Sequence, residues 1–501
     1  MNRFSFSAVA VALALAACAS GPDYQTADLA PLTPAKFVDS GDSESPTEWW
    51  RTLNDPILTQ LVEEALQSNR DLKAADANLR AARAAHGLTR FDLAPTVRTQ
   101  AEYTRGRTSA SGLGATIPGL PAGEPFPDTD LFDAGLAASW ELDFWGGVRR
   151  SVEASRASYE GARADRRNAA VIVSADVAIS YAGLRGAERQ LEVARLNAEK
   201  QRETRALTES LEKAGRASSL DAARARAQHE ATLGSLPPLE AQIAAERRRL
   251  AVLTGRAPGA LDALLSAASA FPAIPAGAPA GDPATILRQR PDIRKAERDL
   301  AAATARIGVA TADLFPRVRF VGSFGASSST LSAYGSDASI DYGFGPAIEW
   351  AAFDLGRVRA RINRSKAEAD AALARYEQTA LRALEETANA FSELARERER
   401  NDSLRRSFAA SADAASLAND RYRAGLDGFL TVLDAERRQL EAENSLAQSD
   451  TRTLRNYALV FRALGGGWRI LDPSGAELST PASESPAQTL KTTKDGTASR
   501  S

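Results

Sequence analysis

The sequence has few of the side chains that build most active sites. Its 501 residues include two histidines, one cysteine and one methionine. This supply leaves little for a histidine- or thiol-based catalytic centre and provides no ligand set for zinc. We therefore expect no enzyme activity, no metal site and no cofactor. The net charge of −2 gives no indication of nucleic-acid binding.

Long apolar runs are missing beyond the amino terminus. No later window holds eighteen consecutive apolar residues, so the sequence predicts no transmembrane helix. The amino terminus is typical of an export signal, because Arg3 precedes an apolar stretch, 8–17, that is too short to span a bilayer.

The only cysteine of the chain, Cys18, follows this apolar stretch directly. The sequence Leu-Ala-Ala-Cys at 15–18 resembles the lipobox of bacterial lipoproteins, in which the signal is cut before a cysteine that is then lipidated. We predict a signal peptide at 1–17 and a covalent lipid on Cys18; the alternative is an ordinary signal with a chance cysteine. Ala19 rather than aspartate follows, which favours the outer membrane, and a lipid anchor does not itself span it.

A tandem repeat dominates the rest of the chain. Three glycine pairs share a spacing of 210 positions: Gly146 with Gly356, Gly215 with Gly425, and Gly255 with Gly465. Upstream, Pro95 and Pro316 are 221 positions apart, so the first copy has about eleven more residues, which fit a loop rich in glycine and proline at 104–130. The repeat predicts two copies of one structural unit.

Each copy carries two predicted strands. Apolar and aromatic residues alternate with polar or small ones at 132–144 and 341–350, and the partner strands are 97–103 and 318–324. Alternation alone does not distinguish a soluble sheet from a barrel with apolar groups facing lipid and polar groups facing water. Four strands cannot close on themselves, and lipid tolerates no open edge, so a membrane barrel requires several copies of the chain.

Long helices are predicted at 146–215 and 356–425. Each spans 69 positions, or roughly 100 Å at 1.5 Å per residue. The returning helix, 215–255, and the next leading helix, 283–313, together match that length; the first leading helix is 56–90. Equal lengths indicate a hollow cylinder with strands at one end and helical turns at the other. The alternative is a soluble coiled-coil rod or adaptor.

If the strands enter a membrane, these patterns correspond to a mainly α fold with a small transmembrane β part, that is, a tandem-repeat α-barrel plus a β-barrel. The predicted divisions are a signal at 1–17, a lipidated segment and equatorial belt at 18–55, a first repeat at 56–255, an equatorial connector at 256–282, a second repeat at 283–470 and a tail at 471–501. The composition of the tail, rich in Ser, Thr, Ala and Pro, predicts disorder.

Several motifs between Cys18 and Trp468 carry a family resemblance. Besides the lipobox they are Pro-Asp-Tyr at 22–24, Trp-Trp at 49–50, Asp-Pro at 55–56, Arg-Pro-Asp-Ile at 290–293, the stretch 422–435 and Leu-Gly-Gly-Gly-Trp at 464–468. Together they resemble the outer-membrane efflux family, the TolC-like ducts, in its NodT-type lipoprotein branch. The resemblance implies a homotrimer in outer-membrane lipid, with a barrel closed by trimerisation. It also implies a periplasmic adaptor protein and an inner-membrane transporter. The lipobox and the Gly-Gly-Gly-Trp ending favour a transporter of the resistance-nodulation-division type.

The resemblance further implies a periplasmic gate at the second helical turn. Leu430 matches an apolar ring, Asp434 matches a carboxylate ring, and Arg437 lies one turn further along. Tyr422 and Arg423 match latch residues, whose candidate partners in the first turn are Asp221 and Ser218. On the residues alone, Asp434 and Arg437 are an ordinary exposed pair three positions apart on a helix.

The function that follows is a passive outer-membrane channel of a tripartite efflux system. It would carry substrates from the transporter and adaptor across the periplasm and the outer membrane. The alternative is a periplasmic lipoprotein rod or adaptor that does not enter the membrane. Drugs, metals, solvents and proteins all stay open as cargo.

Overall fold

The structure is a computed structural model that describes residues 19–33, 48–107, 128–266, 271–277 and 282–468. The predicted signal, the lipidation site Cys18 and the predicted tail at 471–501 lie outside the described residues. Most of the predicted loop at 104–130 also lies outside them, although the strands on either side extend into that range.

The first repeat follows the predicted order of helix, two strands, long helix, turn and returning helix. Its elements are α1 (Pro56–Ser68), α2 (Arg70–Phe91), β1 (Thr96–Gly106), β2 (Thr129–Leu142), α3 (Gly147–Lys213), α4 (Ser219–Gly234) and α5 (Leu236–Leu253). Short 3₁₀ helices at Ala30–Leu32 and Trp49–Leu53 precede it, and a single turn, α6 (Asp262–Leu265), follows it.

The second repeat has the same order, with its returning helix in one piece. Its elements are α7 (Pro283–Gln289), α8 (Pro291–Ala312), β3 (Arg317–Ser328), β4 (Ile340–Glu349), α9 (Leu355–Arg423) and α10 (Phe429–Ala463). The descending helix α3 contains an apolar window long enough to cross a membrane, but 78% of that window is buried inside the protein. Packing within the chain therefore accounts for its apolar character.

The first leading helix is broken at Asn69, so the prediction of one helix over 56–90 was wrong. The Asn69 side chain accepts hydrogen bonds from the N–H groups of Asp71 and Leu72 and so caps α2. Its amide nitrogen donates to the carbonyl of Leu253 at 2.8 Å. This residue both ends α1 and ties it to the end of the returning helix.

Prolines explain two other breaks in helices that were predicted to be continuous. Arg290 has an extended backbone ahead of Pro291, which divides the leading helix of the second repeat into α7 and α8. Ser235 separates α4 from α5 just before Pro237, and proline is tolerated in the first turn of a helix.

The strands form one antiparallel sheet in the order β1-β2-β3-β4. Thr96 lies opposite Ser139 in the first hairpin, and Arg317 lies opposite Glu349 in the second. Between the hairpins, Leu136 lies opposite Phe324. The two outer edges, on β1 and β4, have no strand beside them among the described residues.

The largest buried side chains lie near the middle of α3 and α9, where the amino-terminal segment meets both repeats. Trp49 stacks on Phe461 with ring centroids 5.0 Å apart. The hydroxyl of Tyr181 donates to buried Asp55 at 2.6 Å, and burial raises the pKa of that tyrosine. Phe391 completes this core cluster, which holds the two long helices together.

Candidate functional site

The sheet has one polar face, which the strand registers place on a single side. Ser139 lies between Thr96 and Val321, and Glu141 lies opposite Arg319. The same face includes Arg98, Gln100, Glu102, Asp133, Arg317, Ser323, Asp341 and Glu349. Many of these residues line one hollow together with Asp92 and Asp143, just above the helices. The polar face is therefore the concave one, as the lining of a water-filled barrel would be.

The opposite face of the sheet is apolar and solvent-exposed in the single chain. Phe344 is 76% exposed, Ile348 70% and Phe324 58%. Tyr103 packs on Phe132 with ring centroids 4.9 Å apart. An exposed apolar surface of this kind marks contact with lipid or with another protein.

Tryptophans mark the helical end of the apolar face in both repeats. Trp140 donates its indole N–H to the carbonyl of Leu93 at 3.0 Å, and Trp350 donates to the carbonyl of Leu314 at 3.1 Å. The two tryptophans are 210 positions apart and the two leucines 221, so the repeat preserves this contact. Amphipathic rings at the border of an apolar band are typical of a membrane interface.

Proline occupies the open edge of β4. The backbone N–H of Ser327 donates to the carbonyl of Ser339 at 2.8 Å, which sets the alternation of hydrogen-bonded pairs along β3 and β4. Counting along the strands, Pro346 faces Phe320 in a non-hydrogen-bonded pair, so its nitrogen points away from β3. Edge strands are where proline is accepted within sheets.

The second helical turn carries the residues predicted to form a gate. Leu430 is 58% exposed in the single chain. The ring of Tyr422 packs on Phe429 at 5.9 Å, and its hydroxyl is buried with no hydrogen-bond partner among the described residues. Arg421 pairs with Asp427 across the turn at 2.6 Å and holds the pKa of that carboxyl below its ordinary value.

Asp434 forms its ion pair with a different arginine from the one the sequence suggested. Its carboxylate lies 2.9 Å from the guanidinium of Arg438, four positions on, rather than pairing with Arg437 at three. Both partners are largely exposed, so the pair is worth little to stability. Arg437 and Arg423 are also exposed on this part of the surface.

The first helical turn uses its polar groups locally. The hydroxyl of Ser218 accepts from the N–H of Asp221 at 3.2 Å and donates to the carboxylate of the same residue at 2.7 Å. This capping box starts α4. Asp221 also lies 3.7 Å from Arg224. Within the described part of this chain neither residue bonds to Tyr422 or Arg423, and a latch between copies stays a prediction.

Two contacts between the repeats were missed by the sequence interpretation. Thr204 donates to Glu436 at 3.2 Å, and Asn197 donates to Glu443 at 3.2 Å. Thr204 and Glu436 each lie 11 positions from the glycine of the nearest turn, which is Gly215 or Gly425. Asn197 and Glu443 each lie 18 positions from the same glycines. This equal spacing was the available signal, because α3 and α10 run side by side from neighbouring turns. Burial raises the pKa of Glu436.

The amino-terminal segment lies against the base of the sheet. The N–H of Ser20 donates to the carbonyl of Trp145 at 3.0 Å, and buried Arg150 donates to the Ser20 carbonyl and to Asp23. Gly21 and Gly308 let the two backbones approach closely, because a Cβ on Gly308 would lie 2.6 Å from the Ser20 oxygen.

Comparisons with known proteins agree with this geometry. The profile of the family described as outer membrane efflux protein matches residues 61–256 and 283–466. Nodulation protein T of Rhizobium leguminosarum bv. trifolii is 31% identical over 471 residues, which cover 92% of this chain and 97% of that protein. Outer membrane protein OprJ of Pseudomonas aeruginosa is 33% identical over 482 residues, which cover 93% and 96%. The solved structure of the outer-membrane channel OprN is similar with a TM-score of 0.82 and 44% identity, covering 90% of this chain and 100% of that one.

These likenesses confirm the predicted fold class, a long helical part joined to a small antiparallel sheet, and the outer-membrane location. They favour an outer-membrane efflux channel over the alternative of a rod or adaptor that stays in the periplasm. The family profile covers more than half of the sequence and reaches both repeats. The chain therefore belongs to the outer membrane efflux protein family.

Proposed function

We propose that three copies of this chain form the passive outer-membrane duct of a tripartite efflux system. The single observation that carries the proposal is the four-stranded sheet, which has a polar concave face, an apolar exposed face and two open edges. Neither edge is tolerated in lipid unless other strands cover it. Copies of the same chain supply such strands, and the number three comes from the family resemblance.

The exposed face argues for the membrane over a soluble rod. A soluble sheet with side chains such as Phe344 and Ile348 would bury that face against its own helices. Here the helices continue the sheet lengthwise and leave the face uncovered. The duct performs no catalysis in this proposal, since its work is to hold open a water-filled path.

A lipid on Cys18 is proposed as the second attachment to the membrane. The hydrogen bond between Ser20 and Trp145 holds the chain two residues after Cys18 at the helical end of β2. In the proposed orientation this end of the sheet faces the periplasm. Acyl chains on Cys18 would then reach the inner leaflet beside the barrel.

The gate is proposed at the second helical turn, where Leu430 and Asp434 are exposed in the single chain. Three leucines around a common axis would form a dewetting constriction, and three carboxylates would favour cations. Tyr422 is proposed as a latch residue from the family resemblance, and its hydroxyl has no hydrogen-bond partner among the described residues. Arg423, Arg437 and Asp221 are the other proposed contributors.

The partners proposed are a periplasmic adaptor and an inner-membrane transporter of the resistance-nodulation-division type. The family resemblance supports this choice. An adaptor would contact the helical end, because that end projects roughly 100 Å from the sheet. A pull-down from cross-linked cells would identify both partners by mass spectrometry.

The mass and conductance of the purified protein test the proposal. In detergent we expect a particle with the protein mass of three chains, strand signal in circular dichroism and ion conductance in planar bilayers. A chain that stays monomeric, becomes soluble once its lipid is removed and carries no current would contradict the duct and support the rod.

A further inference from the structure

We propose that β4 of one copy pairs with β1 of the next in a single register, in which Gly345 lies opposite the partner's Thr104. This inference rests on the proposed function, because it assumes that copies of the chain close one barrel. It goes further by stating which residues meet at the junction between copies. The internal repeat carries the argument.

The two hairpins of the sheet are copies of each other at the level of single residue pairs. Equivalent residues of the two first strands, β1 and β3, are 221 positions apart, and equivalent residues of the two second strands, β2 and β4, are 210 positions apart. Applied to the pair Thr96 and Ser139, these shifts give Arg317 and Glu349, which is the pair observed. Applied to Tyr103 and Phe132, they give the observed pair of Phe324 and Tyr342.

The junction between the hairpins then serves as a template for the junction between copies. Within the chain, β2 meets β3, and Ala134 and Leu136 lie opposite Ala326 and Phe324. The counterpart of β2 is β4, and the counterpart of β3 is the β1 of another copy. The same shifts place Pro346 opposite the partner's Tyr103, and therefore Gly345 opposite the partner's Thr104.

This register keeps the two faces of the sheet continuous. Ile348, on the apolar face, meets the partner's Ala101, while Glu349, on the polar face, meets the partner's Gln100. A shift by one residue would set the polar face of one copy against the apolar face of the next, so only shifts by two compete. A shift by two in one direction sets Glu349 against the partner's Glu102, and directly opposed like charges are destabilising.

The other shift by two sets Glu349 against the partner's Arg98. This register competes with the proposed one, because it pairs opposite charges. In the proposed register the partner's Arg98 and Glu102 are both diagonal neighbours of Glu349, so the attraction and the repulsion are both weaker than in a direct pair. Within its own chain Glu349 already pairs with Arg319 at 2.5 Å. The carboxylate therefore has a partner without the shift.

Paired cysteines test the register directly. Gly345 and the partner's Thr104 form a non-hydrogen-bonded pair on the polar face, where Cβ atoms are closest and disulfide geometry is favourable. A Cβ on Gly345 meets nothing within 4 Å. Oxidation of assembled Gly345→Cys/Thr104→Cys protein with copper phenanthroline should give covalent dimers and trimers on a non-reducing gel, at least about tenfold more than either control.

The controls are matched pairs that each represent a register shifted by two. They are Gly345→Cys with Glu102→Cys and Gly345→Cys with Gly106→Cys. Strands β2 and β3 separate the two positions within one chain, so each disulfide must join two copies. Each single variant reports any reaction with Cys18. Efficient linkage in a control, with little in the proposed pair, would overturn the register.

The mass of the reduced protein separates this outcome from failure of the proposed function. A reduced sample that is monomeric in detergent contradicts the duct itself. A reduced trimer that links in a shifted pair, or in none of the pairs, contradicts only the register. If the first pair prevents assembly, Ala347→Cys with Glu102→Cys tests the same register, with Gln100→Cys and Thr104→Cys as the shifted partners of Ala347→Cys.

Discussion

At the scale of single residues, the second helical turn carries the proposed gate. Tyr422 contributes a ring that packs on Phe429 and a buried hydroxyl that has no partner among the described residues. A buried hydroxyl without a hydrogen bond costs about 1–3 kcal/mol. If the ring turns outward in the assembled state, a hydrogen bond to another copy would recover this cost.

Replacing Tyr422 or Asp434 with alanine should therefore loosen the proposed gate and raise ion leakage in planar bilayers. The matched variant Tyr422→Phe keeps the ring and removes only the hydroxyl. If the hydroxyl forms the latch, Tyr422→Phe should leak as Tyr422→Ala does. Conductance unchanged in all three variants would count against a gate at this turn.

The burial of Glu436 predicts that the stability of the protein depends on pH. Burial between α3 and α10 raises its pKa, which means that the folded protein holds the proton more readily than the unfolded chain. Its contribution to stability is therefore fully present below the pKa of an unfolded glutamate and is lost as the pH rises through the folded value.

Glu436→Gln should accordingly raise the unfolding temperature at pH 7.5 and change it little near pH 4.5, because glutamine keeps an acceptor for Thr204 without the charge. The exposed Glu441→Gln is the control and should show no such difference. A variant that is destabilised equally at both pH values would mean that the carboxylate is needed in its charged form.

The elements depend on close contact between the long helices of the two repeats. A Cβ on Gly186 of α3 would lie 2.1 Å from the hydroxyl oxygen of Thr451 on α10. One on Gly183 would lie 2.5 Å from Glu246 of α5. These glycines let three helices approach more closely than any side chain would allow.

Gly186→Ala should lower the free energy of unfolding by about 1–3 kcal/mol, since the added methyl forces α3 and α10 apart. Gly87→Ala on α2 is the matched control, because a Cβ there meets nothing within 4 Å. That control should be neutral or stabilising by up to about 1 kcal/mol through helix propensity. Equal effects of the two variants in denaturant titrations would show that packing at Gly186 is not the cause.

The whole molecule has two proposed attachments to the membrane, the barrel and the lipid on Cys18. They are physically independent, because the sheet closes through its strand edges while the lipid only anchors. Cys18→Ser should therefore abolish labelling with radioactive palmitate and leave heat-resistant trimers among the molecules that reach the outer membrane. Palmitate retained by Cys18→Ser would refute the lipidation site.

The sequence was sufficient for the features that follow from local order along the chain. Period-two alternation predicted the strands and their faces, and the spacing of Gly146 and Gly215 predicted α3 to within two residues at each end. Pro237 indicated where the first returning helix divides, although the prediction kept that helix in one piece. The break at Asn69 had no comparable signal, since it depends on a hydrogen bond to distant Leu253.

By itself the sequence determined the two repeats, the element order and the two-faced sheet, because residues close in the chain set their own periodicity. The tertiary structure alone decided which distant groups meet. It placed Glu436 against Thr204 and Glu443 against Asn197, and it left the Tyr422 hydroxyl buried without a partner among the described residues. Contacts across 232 positions depend on how α3 and α10 pack, and the equal spacing from the two turns indicates which residues are level without showing that the two helices lie side by side.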